Sequence, residues 1–182
     1  MEFQLGEFYE VLSPRCTAIV STIDKDGNPN AAPFSFLMPI SMDPPLIALG
    51  VAPKRHTLAN IRETGEFVVN IVPEGILDKM MTTSRAFPKG ASEIKEAGLT
   101  EKKSKVVKAP SIQECCAWLE CKFDCEHVAG DHNIVIGRVV HAECKDAFVI
   151  DGGFDVVKAR PVMHIRRRRF AVADRVVEAP KV

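Results

Sequence analysis

The chain has 182 residues, 46% hydrophobic and 26% charged, with 24 basic and 24 acidic side chains and a formal net charge of zero. This is ordinary globular usage, which disfavours disorder and coiled coil and allows a sizeable core without disulfides or metal clips. Balanced charge argues against the basic footprint of a dedicated nucleic-acid binder. The acidic start (Glu2, Glu7) predicts no targeting peptide, and the proline-interrupted uncharged stretch 27–42 predicts no membrane span. The six cysteines (Cys16, Cys115, Cys116, Cys121, Cys125, Cys144) are then expected to be reduced thiols of a cytoplasmic protein, acting as small core hydrophobes.

Residues 16–23 are apolar and β-branched and predict a strand. Asp24-Lys25-Asp26-Gly27-Asn28-Pro29 is a turn, and 30–37 return as a second strand, with Pro33 at an edge or irregular position. After a turn through Asp43-Pro44-Pro45, residues 46–51 are a continuous apolar run, as in a strand buried on both faces. Thr57 as N-cap and Gly65 as stop bracket a short helix. Residues 67–72 read as a strand and 74–81 and 92–97 as short helices, with 82–90 a loop between them. Further on, Ala117, Leu119, Cys121, Phe123 and Cys125 alternate with Glu120, Lys122, Asp124 and Glu126, which predicts a strand with one apolar and one polar face. Ala129-Gly130-Asp131 turns the chain into a partner strand over 132–142, and 147–150 and 161–172 are the last strands. Many short strands with few helices predict a closed or nearly closed antiparallel barrel.

The sequence contains no G-x-G-x-x-G, P-loop, H-E-x-x-H or G-x-S-x-G pattern. Cys121, Cys125, His127 and His132 fit no established zinc spacing, and two of them fall in the apolar register of a strand, so no metal site is expected. Lys54, Arg55 and Thr57 stand just before a helix start, where free N–H groups and the dipole favour a phosphate monoester; a solvated loop before an ordinary capped helix reads equally well. Asn30-Ala31-Ala32-Pro33-Phe34-Ser35-Phe36 is small, aromatic and uncharged. It suits either a core strand with a bulge or a strand edge whose N–H and C=O groups meet a flat heteroaromatic ring. Lys158, Arg160 and Arg166-Arg167-Arg168-Arg169 form a basic cluster, read as a solvated rim or a contact for an anionic partner.

Five segments in order resemble the flavin reductase-like family of FMN-binding split barrels: Asn30 to Phe36, Asp43-Pro44-Pro45-Leu46, His56-Thr57-Leu58-Ala59-Asn60-Ile61, Gly65-Glu66-Phe67-Val68-Val69-Asn70, and Gly130-Asp131-His132-Asn133 with Gly137. The resemblance implies a mainly β fold, a six-stranded antiparallel Greek-key split barrel with a few flanking short helices. It implies a single domain over 1–182, with the barrel at about 13–172 and a tail at 173–182. It further implies a homodimer binding FMN noncovalently, with NADH or NADPH as electron donor. The implied activity is that of a flavin reductase-like oxidoreductase or, alternatively, of a flavoredoxin-like electron carrier serving a redox protein. By the same resemblance Asn30, Ala32, Pro33, Phe34, Ser35 and Phe36 lie beside the ring or ribityl chain, with Leu49, Gly50 and Val51 in the neighbouring strand. Thr57 lies at the phosphate end, Thr83, Ser84 and Lys89 on an approaching loop, and His132 near the ring or nicotinamide as the catalytic candidate. Lys54 and Arg55 join the phosphate end by their charge. Where relatives often carry a Gly-Gly-like pair before the last strand, this chain has Arg166 to Arg169.

Overall fold

The computed structural model describes residues 2–88 and 90–180. It is mainly β, with 43% strand and 20% helix, and its centre is a seven-stranded antiparallel sheet. The sheet strands are β1 (Ala18–Ile23), β2 (Pro29–Phe34), β3 (Leu37–Met42), β4 (Pro45–Val51), β5 (Glu66–Ile71), β6 (Ala117–Ala129) and β7 (His132–Cys144). Their order is β2-β1-β5-β6-β7-β4-β3. The two edge strands, β2 and β3, are consecutive in the chain and joined only by Ser35 and Phe36. The chain turns a corner at Ser35-Phe36 to pass from one edge of the sheet to the other, and the Gly50 N–H donates to the Phe36 carbonyl at 2.8 Å, extending the β3–β4 ladder by one residue. The predicted strand over 30–37 is thus two strands with a corner between them.

The strands pack on both sides. Ala18, Val20, Leu49, Val51, Phe67, Val69, Cys121 and Val135 form one core with Leu58 and Ile61 of helix α1 (His56–Thr64). Ile19, Val68 and Trp118 form a second with Met80 of α2 (Leu77–Thr83), Ile94 of α3 (Glu93–Glu96) and the chain from Leu99 to Cys115. Burial on both faces is so complete in β1 and β5 that Ser21, Thr22 and Asn70 are buried with their apolar neighbours. It also corrects the polar face assigned to β6 at Glu120, while Lys122 and Asp124 are exposed as expected. Glu120 is 1% exposed, and its carboxylate accepts the N–H groups of Lys105, Val106 and Val107 at 2.7, 2.6 and 3.1 Å. A carboxylate taken out of water needs such donors, and three N–H groups supply them. Gly137, at a register shift of β7, sits where a Cβ would fall 2.3 Å from Phe67 Cζ, so only glycine lets the strand cross the buried ring.

Helix boundaries shift modestly. The N-cap of α1 is Arg55, without a side-chain cap bond, and Thr57 lies inside the first turn; the helix ends at Gly65 as expected. The helix expected over 74–81 starts as a 3-10 turn (Glu74–Ile76) and continues as α2 to Thr83. Ser92 caps α3, accepting the Lys95 N–H at 3.5 Å. The last predicted strand, 161–172, is instead a hairpin of Met163–Arg166 and Arg169–Ala171, turning at Arg167-Arg168 with Arg167 at φ +52°. Adjacent like charges repel least where a turn fans them into solvent. Among the described residues Arg166 alone of the four is ion-paired, to Glu7 at 3.3 Å and Glu10 at 2.6 Å. Cys115, Cys116 and Cys121 are buried thiols, with burial raising Cys116 to about 11 and Cys121 to about 12; Cys16, expected in the core, is exposed. No described helix is long and apolar enough to cross a membrane.

Candidate functional site

A cavity of about 540 Å³ opens where β2, the Ser35-Phe36 corner, the start of α1 and the end of α2 converge. That volume is within the usual range for a small-molecule or cofactor site. Its walls include Asn30, Ala32, Pro33, Phe34, Ser35, Phe36, Gly50, Lys54, Arg55, Thr57, Thr83, Ser84 and His132, so most of the predicted site residues are brought together.

Leu49 and Val51 are not among them. Side chains alternate along β4, so Gly50 faces the cavity while Leu49 and Val51, both 0% exposed, point into the barrel core. Gly50 is required there, because a Cβ would approach Phe36 Cβ to 2.9 Å. Lys89 lies outside the described residues. Thr83, expected on a loop, is the last residue of α2. Its hydroxyl and that of Ser84 donate back to the carbonyls of Met80 and Met81 at 2.8 and 2.6 Å, leaving both oxygens as acceptors.

One end of the cavity gathers donors and cations. The N–H groups of His56 and Thr57, in the first turn of α1, find no acceptor among the described residues. Thr57 Oγ1 accepts from Asn30 Nδ2 at 3.3 Å, which keeps its own O–H available to donate. Asn30 is held in turn by Thr22, to which Asn60 also donates at 3.0 Å. Lys54 and Arg55 flank this corner, and Arg85 lines the same cavity; none of the three makes an ion pair among the described residues. Free N–H groups at a helix start, a hydroxyl and unpaired cations are the chemistry an anion needs.

The β2 edge differs from expectation. Pro29 and Pro33 cannot donate, so residues 29, 31 and 33 are the ones whose backbone groups face away from β1. The one outward N–H, that of Ala31, donates to Glu93 Oε2 at 3.2 Å. The edge therefore offers carbonyl acceptors but no free donor, and neither Glu93 nor Arg85 was anticipated as a cavity residue. Nothing local marks Glu93, since it reaches Ala31 from 62 positions away.

At the other end, the His132 ring leans on Phe36, with centroids 5.4 Å apart and planes tilted by 46°. His132 Nδ1–H donates to Asp131 Oδ1 at 2.8 Å, and this bond holds the Asp131 carboxyl below its ordinary value. With Nδ1 engaged, Nε2 is left to act as an acceptor on the neutral ring or a donor on the cation. The considered zinc ligands do not assemble: Cys121 is in the core, His132 is at the cavity, and only Cys125 and His127 meet, at 3.7 Å.

The chain is 38% identical over 166 residues to an uncharacterized protein of Methanothermobacter thermautotrophicus, covering 88% of this chain and 78% of that one. Its fold is similar to nitrilotriacetate monooxygenase component B from Bacillus cereus (28% identity, TM-score 0.88, covering 98% and 95% of the two chains). It is also similar to an FMN-binding protein from Thermus thermophilus (19% identity, TM-score 0.83, covering 99% and 97%). Together with the split-barrel fold and its cavity, the match of residues 12–173 to the flavin reductase like domain shows that this chain belongs to that family.

Proposed function

We propose that this protein binds FMN noncovalently in the cavity and acts as a flavin reductase-like oxidoreductase with NADH or NADPH as donor. The observation that carries this reading is one cavity with an unpaired anion-binding corner at one end and an uncharged strand edge with an aromatic–imidazole wall at the other. The residues fit the group. The His56 and Thr57 N–H groups, the Thr57 hydroxyl, Lys54 and Arg55 would hold the phosphate, while Pro33 to Phe36 would lie along the ring, with outward carbonyls to accept from its imide N–H. When bound, FMN supplies the capacity to take two electrons from a reduced nicotinamide and pass them on.

The chain's own part is binding, orientation and electrostatics. Asp131 fixes the His132 ring so that Nε2 is the atom presented to the cavity, and as a cation His132 donates there to developing negative charge. Phe36 closes the wall against that ring, and Gly50 lets Phe36 sit there. An open depression of about 910 Å³ continues past Ser84 and Arg85 to Arg168 and Phe170, which supports room for an anionic donor. The exposed apolar side chains of Met38, Ile40 and Met42 on edge strand β3 support a second copy of the chain as partner. The free thiols support a reducing, cytoplasmic setting.

The test is an absorbance titration of the purified protein with FMN, followed by NADH and NADPH oxidation with free FMN in excess. Bound-flavin bands and turnover are expected. Failure to bind FMN at micromolar concentration overturns the reading; binding without oxidation of either nucleotide removes the reductase and leaves an electron carrier.

A further inference from the structure

The carboxylate of Glu93 is a buried acid in a cavity otherwise lined by cations and neutral groups. It is 8% exposed, and its Oε2 takes the Ala31 N–H at 3.2 Å. Its Oε1 accepts no hydrogen bond from any described residue. Nor does Glu93 pair with Lys54, Arg55 or Arg85, which line the same space, so it does not neutralise them. That oxygen is not closed off from solvent, and since Glu93 lines the cavity, the cavity is where a donor other than water would come from.

Its place along β2 says which donor. Asn30, one residue before Ala31, reaches Thr57 at the anion-binding corner, whereas the ring-facing segment begins at Pro33, two residues after. With a rise of about 3.3 Å per residue, Glu93 is thus anchored between the two ends of the cavity. The anchor is stiff, because Glu93 opens α3 beside Ile94, which is 0% exposed in the second core.

We propose that Glu93 is a ligand-binding residue whose free carboxylate oxygen accepts hydrogen bonds from the hydroxyls of the polyol chain joining ring and phosphate. This rests on the flavin reading above and deepens it. Neutral hydroxyls suit a carboxylate at mid-cavity, while a second phosphate there would meet like charge. The site therefore selects a polyol whose single anion lies at the far end.

Three flavins separate this from a role in holding the strand: FMN, riboflavin, and lumiflavin, which lacks the polyol. Glu93→Ala is expected to weaken FMN and riboflavin alike by roughly tenfold or more, the worth of a hydrogen bond to a charged group, and to leave lumiflavin unchanged. Glu93→Gln keeps an oxygen for the Ala31 N–H and is expected to show a smaller loss in the same pattern, which keeps the test open if the alanine variant does not fold. An equal loss for lumiflavin would overturn the proposal in favour of strand support, and no loss for any of the three would overturn it outright. Wild-type protein that binds none of them sinks the flavin reading itself, a result distinct from either.

Discussion

Strand β7 runs from the cavity to a charge cluster at its other end, and the two ends treat charge in opposite ways. At the far end, the Glu143 carboxylate is shared by Lys102, Lys105 at 2.5 Å and His141 at 3.4 Å. Lys102 also lies over the Trp118 ring, 4.0 Å from its centroid, and Glu120 nearby caps three N–H groups. At the near end, His132 has one satisfied nitrogen, and Lys54, Arg55 and Arg85 have no ionic partner among the described residues. The eleven residue steps from His132 to Glu143 correspond to up to roughly 35 Å of strand, so the ends are electrostatically independent at physiological salt. Charges that hold the fold are closed on one another. Charges left open around a cavity are not spent on the fold and are available to a ligand.

The largest effect should come from His132. His132→Ala in FMN-loaded protein is expected to slow reduction by NADH or NADPH about 10²-fold in stopped flow, with little change in affinity for oxidised FMN, because the interaction grows as negative charge develops. Wild-type reduction rates would leave His132 as a turn residue and the near end as a binding site only.

Next is the anion corner. Lys54→Ala with Arg55→Ala should weaken FMN by about tenfold or more while sparing riboflavin, since only FMN carries a phosphate. The same double variant should change unfolding free energy by no more than about 0.5 kcal/mol, as expected for exposed side chains without partners. Equal losses for the two flavins, or a marked loss of stability, would break the contrast between the two ends of β7.

The smallest effect belongs to the closed end. Bonds from Lys102 and Lys105 depress the Glu143 carboxyl from the ordinary 4.5 to about 2. A carboxyl depressed by folding contributes stability that is whole above about pH 4.5 and is lost as pH falls from there towards 2. Glu143→Gln should cost roughly 1 kcal/mol near neutral pH, flatten that acid limb in a chemical-denaturation series, and leave FMN affinity untouched. An altered flavin affinity would show that the two ends communicate.

Local patterns carried most of the architecture. The alternation around Cys121, the turn at Ala129-Gly130-Asp131 and the Gly65 stop are short-range signals, and each marks its element within a few residues. Site residues were legible where they are contiguous, as in Asn30 to Phe36 and Lys54 to Thr57. The misses share a cause. Leu49 and Val51 turn away from the cavity because β4 has the core on one side, and Glu120 is polar yet buried because loop 105–107 folds over it. Glu93 and Arg85 join the site only through the packing of α2 and α3 against β2.

The amino-acid sequence by itself determined the strand-rich class, the punctuation of the strands and the contiguous segments Asn30 to Phe36 and Lys54 to Thr57, because all of these depend on chemistry within a few residues. Tertiary structure decided which face of each strand meets the cavity, which charges are closed on partners and which remain open, and that a carboxylate stands midway along the site. Those are properties of distance and burial between segments tens of residues apart, and no local pattern encodes them.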